Sequence, residues 1–184
     1  MNPDEPEARP GGDLAAAARG PLAILYGELD RAVAELGPVC SLSGRCCRFE
    51  EYDHTLFLSA PEAAVLIADA PPPVRPLDAG ATCPWQDERG RCTAREARPL
   101  GCRVYFCDAA YEGRAPLLTE HFLGRLKALV EDRGWPWGYA PLHRHLEEAS
   151  ARGEFLAPTP PDEGRTPAEG LPNGTGSGPP EKPE

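Results

Sequence analysis

The sequence predicts a small, mainly α fold, an irregular domain of about four helices joined by cysteine-rich loops. Three observations predict it. Apolar residues recur at helical spacing in several stretches. Helix start and stop signals bracket those stretches. All seven cysteines fall between Cys40 and Cys107, in segments without that periodicity.

The chain has 184 residues, a length that suggests one domain. Its ends are predicted to stay out of the core. Residues 1–20 carry three prolines and three glycines, and residues 152–184 carry eight prolines and six glycines. Such segments bury too little apolar surface to offset the entropy of ordering them. The predicted domain is therefore residues 21–151, between disordered tails at 1–20 and 152–184.

Residues 22–36 are the first predicted helix, with Leu22, Leu25, Tyr26, Leu29, Val33 and Leu36 on one face and Gly37-Pro38 as its stop. Thr55 to Leu58 reads as a short extended piece. Ser59-Ala60-Pro61-Glu62 is a helix start, with a serine cap, a proline in the first turn and a glutamate three residues on. The helix that follows, 61–69, is apolar nearly all round. Residues 70–80, opening on Ala70-Pro71-Pro72-Pro73, are a stiff linker.

Asp87-Glu88-Arg89-Gly90-Arg91 is a predicted tight turn that brings Cys83 and Cys92 together. Thr93 is placed to cap a helical turn at 94–98, broken by Pro99 and Gly101. Thr119 is placed to cap a helix over 120–133, with Phe122, Leu126 and Val130 inward. A last helix covers 141–151, with His143 and His145 on its surface. Trp135, Trp137 and Tyr139 read as packing residues in a turn.

The net charge is −10; the two ends carry −2 and −3, leaving −5 on the core. That balance argues against nucleic acid as a partner, since general affinity comes from cations that neutralise phosphates. No run of 18 apolar residues suggests a membrane span. The first twenty residues lack the apolar stretch of a signal peptide. A cytoplasmic location is the expectation, with a protein or small molecule of unassigned identity as partner.

In a reducing compartment seven cysteines read as ligands or reactive thiols rather than disulfides, and an odd number suits pairing poorly. Thiolate-rich sites favour zinc or an iron–sulfur cluster over hard cations. Cys83, Cys92, Cys102 and Cys107, spaced C-x8-C-x9-C-x4-C, are enough for one four-coordinate centre. Cys40, Cys46 and Cys47 are harder to place, because adjacent side chains tend to diverge; His54, Ser43 or water is a candidate to complete their set. Five arginines against three acids between Cys83 and Cys107 offset thiolate charge. Arg98 and Arg103 are the candidate cofactor-binding residues, Arg103 foremost because it adjoins Cys102. The whole is then a domain organised around a metal or Fe–S centre.

These residues carry a resemblance. Cys83-Pro84, Cys92, Arg98-Pro99, Cys102-Arg103, Phe106 and Cys107 stand in the order found in the second half of the bacterial YkgJ-like cysteine-cluster proteins, regarded as zinc- or iron-chelating. The first half of that family runs CxxCxxCC. Cys40, Cys46 and Cys47 match it in length, with Ser43 where the second cysteine belongs. The helix start from Ser59 to Glu62 is also similar. The resemblance covers residues 40–107 and implies metal binding by these cysteines. Some relatives are flagellin lysine methylases, an activity the cluster alone does not carry.

Three roles fit the pattern: a structural or electron-transfer centre, an enzyme whose centre holds a substrate, and a thiol switch or metal chaperone using Cys46-Cys47. No glycine-rich cofactor loop, HExxH or C-x3-C-x2-C motif supports the second.

Overall fold

A computed structural model describes residues 10–159. Of the predicted tails, 1–20 and 152–184, residues 1–9 and 160–184 lie outside the described residues. The fold is mainly α. In chain order it contains α1 (Pro10–Leu36), β1 (Phe57–Leu58), α2 (Ala60–Asp69), α3 (Leu100–Val104), α4 (Ala109–Glu112), α5 (Ala115–Asp132), β2 (Ala140–Pro141) and α6 (Leu142–Ala151). The strands pair antiparallel, Phe57 opposite Pro141 and Leu58 opposite Ala140.

Helix α1 starts at Pro10, more than ten residues before the predicted start. Gly20-Pro21 reads locally as a breaker, and Pro21 does remove one backbone donor from the helix interior. Packing overrides that cost. Ala15 and Ala18 extend the buried stripe of Leu22, Leu29 and Val33. Arg19 adds a two-pronged bond to Asp69 at the end of α2, at 2.6 and 2.8 Å. Residues 10–20 therefore belong to the domain.

Two apolar cores result. One joins α1, α3 and α5 through Leu22, Leu29, Leu100, Phe122, Leu126 and Val130, with Trp135 and Trp137 packed on its edge. The other gathers Phe49, Leu58, Leu66, Trp85, Leu142 and Leu146 with Cys47 and Cys83. The end of the chain joins the second core as well. Phe155 is buried with its ring 5.6 Å from that of Trp85, so residues 152–157 are not a free tail.

The remaining differences are local. Only a single turn forms at 94–97, where Ala97 N–H bonds Ala94 O at 3.1 Å. Pro99 caps α3 instead of breaking a helix, because the proline ring sets the backbone just ahead of a helix as well as it ends one. Thr119 lies inside α5, its hydroxyl donating to Ala115 O at 2.7 Å, and Pro116 occupies the first turn. His143 and His145 are half-buried: His145 Nε2 lies 3.0 Å from Leu58 O, and the His143 ring covers Gly80. The aromatic turn packs as predicted, Tyr139 stacking between Trp137 and Phe57 at 5.2 and 5.6 Å.

Glu62 ties the two cores together. It is buried, and its carboxylate accepts from Tyr26 O–H at 2.8 Å and from Leu100 N–H, Ser59 N–H and Ser59 O–H at 2.9 Å. The predicted glutamate at the start of α2 thus reaches back to its cap and also holds α1 and α3. Burial first, then the Glu62 charge, push the Tyr26 phenol well above its ordinary value, keeping it a donor. Replacing Glu62 by Ala leaves these donors without partners in a dry interior. Glu62→Ala is expected to lower unfolding stability by about 3 kcal/mol or more, read as a urea midpoint shift. A loss below about 1 kcal/mol would contradict this account of Glu62.

Candidate metal centre

Three stretches of backbone converge to assemble the cysteines. The first loop ends in a 3-10 turn, Arg45–Cys47. It is fastened to the second stretch by Cys83 N–H donating to Cys47 O at 2.8 Å and by Gln86 Nε2 donating to Gly44 O at 2.9 Å. Gly44 has φ 72, and a Cβ there would lie 2.5 Å from Gly90 O. Only glycine allows that approach.

The 87–91 turn forms as predicted. Asp87 N–H bonds Arg91 O at 2.8 Å, and the Asp87 carboxylate accepts from Arg89 and Arg91 N–H. Gln86 and Cys92 then face each other as a β-bridge, and Cys83 and Cys92 line the same cavity. The third stretch is α3, carrying Cys102, and the extended residues after it, which place Cys107.

All seven cysteines, Cys40, Cys46, Cys47, Cys83, Cys92, Cys102 and Cys107, line one cavity of about 350 Å³. None is in a disulfide. Arg91, Arg95 and Arg98 share the wall with Leu66, Trp85 and Phe106. Among the described residues, no group of three or more His, Cys, Asp or Glu side chains is positioned to hold a single ion. The thiols are spread around a space.

The adjacent pair is in contact. Cys46 Sγ and Cys47 Sγ are 3.9 Å apart, against the expectation that neighbours diverge; the tight 3-10 turn brings them together. Sulfurs on a tetrahedral ion at about 2.3 Å would be about 3.8 Å apart, so the pair suits a shared ion. Ser43 has its Oγ 3.3 Å from Cys107 Sγ.

Cys47 is buried, its sulfur in contact with that of Cys46 and its thiol influenced by Cys83 and Cys92. Those contacts hold its proton and push its titration far up. Cys46 is lowered to about 6, first by accepting from Cys47, against burial, with help from Arg98 and Arg95. Cys92 is lowered to about 7, again first by Cys47. Cys102 is half-buried as a residue, yet burial of its thiol, then Cys83, Cys92 and Cys46, push it well up.

The two predicted cofactor arginines part company. Arg98 lines the cavity and bonds Arg95 O at 3.0 Å. Arg103 does not line it. Its guanidinium donates to Asp30 at 2.7 Å, Arg98 O at 2.8 Å and Glu96 O at 3.0 Å, and lies 4.5 Å over the Tyr26 ring. Adjacency to Cys102 misleads because neighbours on a helix point about 100° apart. Arg103 fastens α3 to α1. Arg91 and Arg95 are the cavity arginines missed; the cation excess of the window signals them but does not say which face it.

His54 is not on the cavity wall. Its ring stacks on Tyr105 at 5.1 Å and meets Phe49 edge-on at 5.3 Å, and both ring nitrogens are buried without a hydrogen-bond partner.

Among known proteins, no family model, curated protein or solved structure matches this chain.

The thiolate is the reacting form of cysteine, so alkylation speeds up as pH rises through each pKa and levels off above it. In reduced, metal-free protein, iodoacetamide is expected to label Cys46 with a midpoint at about 6 and Cys92 at about 7. Cys47 and Cys102 should stay slow over that range. Site-resolved mass spectrometry showing Cys102 labelled first would contradict this ordering.

Proposed function

We propose that the cavity holds a thiolate-ligated metal centre and that the protein is a metal-binding protein. The observation that carries the reading is that seven cysteines from three separate stretches all line one cavity, none of them in a disulfide. Seven soft donors select zinc, iron–sulfur or a similarly thiophilic metal. A cavity of about 350 Å³ leaves room for a polynuclear centre as well as for a lone ion.

Cys46, Cys47, Cys83, Cys92 and Cys102 would supply the inner ligands, with Cys107 and Cys40 at the rim. Arg91, Arg95 and Arg98 would offset the negative charge of the thiolates. The apolar residues beside them limit water around the sulfurs. Such a centre supplies folding energy, electron transfer or an anchoring point for a substrate. The YkgJ-like resemblance agrees with this reading. A cytoplasmic location goes with it, since a reducing compartment keeps thiols available as ligands. No helix of the described residues is long and apolar enough to cross a membrane.

The test is ligand removal. Cys47→Ala and Cys102→Ser are each expected to weaken metal retention by about tenfold or more, measured by competition with a chromogenic chelator. The wild-type chain should lose thermal stability when the metal is stripped. If both variants keep the metal content and melting temperature of wild type, the proposal fails.

A further inference from the structure

A second cleft, of about 630 Å³, adjoins the cysteine cavity and shares Tyr105, Phe106 and Cys107 with it. Cys107 therefore stands at the join, with the Ser43 hydroxyl against its thiol. Beyond this wall the cleft is floored by apolar side chains, among them Val104 and Pro116.

Its rim carries charges the fold leaves unused. Asp108 is committed, its carboxylate accepting from Val39 N–H at 2.9 Å and Ala110 N–H at 3.0 Å. Arg45, Glu112 and Glu120 are different. All three are exposed on this cleft, and none belongs to an ion pair among the described residues. Arg45 lies 5.1 Å over the Tyr52 ring, a contact that steadies its guanidinium. The cleft thus combines one cation, two carboxylates and an apolar floor, in a volume typical of small-molecule sites.

The geometry points to a binding site for a small zwitterion of the α-amino acid class. Its carboxylate pairs with Arg45 and its ammonium with Glu112 and Glu120, while an aliphatic side chain lies on the floor facing Cys107. An exposed charge alone would be unremarkable; opposite charges on one apolar cleft match the paired charges at the head of a single ligand and leave the apolar lining for its side chain. Ser43 matters as well. A hydroxyl is a weaker soft-metal donor than a thiolate, so the rim beside Cys107 is where a molecule in this cleft can approach the centre. That last role rests on the metal reading, whereas binding in the cleft does not.

Isothermal titration of the full chain, with metal assayed in the same sample, tests the site. The probes are L-leucine, 4-methylpentanoate, which lacks the ammonium, and 3-methylbutylamine, which lacks the carboxylate. Leucine is expected to bind in the millimolar range or tighter. Each analogue should bind about tenfold or more weakly, the scale of one lost charge-assisted contact. Arg45→Ala and the double change Glu112→Gln, Glu120→Gln should each weaken leucine by a similar factor at unchanged metal content. No binding of leucine by metal-loaded protein, or equal binding of the three probes, overturns the site and leaves the metal reading standing. The expected pattern in protein that carries no metal supports the site and overturns the metal reading.

Discussion

The buried carboxylate of Glu62 is the constraint on which the rest of the arrangement depends. A charge in a dry interior is costly unless its oxygens are satisfied. Here four donors satisfy it, from Tyr26 on α1, Ser59 at the start of α2 and Leu100 at the start of α3. The same bonds fix where α3 begins, and so where Cys102 stands. Arg103, one residue on, completes the clamp through Asp30 and the Tyr26 ring. The helical core and the cysteine loops are thereby held in one register.

The cysteine side of the molecule is built differently. It has almost no regular structure, and backbone contacts between loops do the positioning. Cys83 N–H on Cys47 O, Gln86 on Gly44 O and the Asp87 turn bring the first and second stretches together before any thiol is considered. The apolar residues around them are part of the second core. A site assembled from loops on two packed cores can be rigid enough to preorganise soft ligands while leaving its rim, at Ser43 and Cys107, open to the neighbouring cleft.

Much of this was legible in the sequence. The stripe from Leu22 to Val33, the Ser59–Glu62 start and the Asp87–Arg91 turn are local signals, and local chemistry decides them. The cysteines stand out in the sequence by their number and confinement, and the fold brings all seven to one cavity. What could not be read depends on distant partners. Residues 10–20 look like tail by composition until Asp69 and the α1 packing claim them. Pro99 looks like a stop until Glu62 takes the Leu100 N–H. Arg103 looks like a ligand-side cation until Asp30, 73 residues away, claims it. Phe155 looks like tail until Trp85 offers a ring to cover.

Cys46 and Cys92 titrate low and Cys47 high because the three thiols influence one another, and metal binding, as proposed, would release their protons. The most direct test is metal and acid-labile sulfide analysis of protein purified without air, with its visible spectrum. The account predicts tightly bound metal: iron with sulfide and a broad thiolate-to-iron absorption for a cluster, or zinc without colour for a structural site. Protein that is folded, carries no transition metal and has all seven thiols free would contradict it.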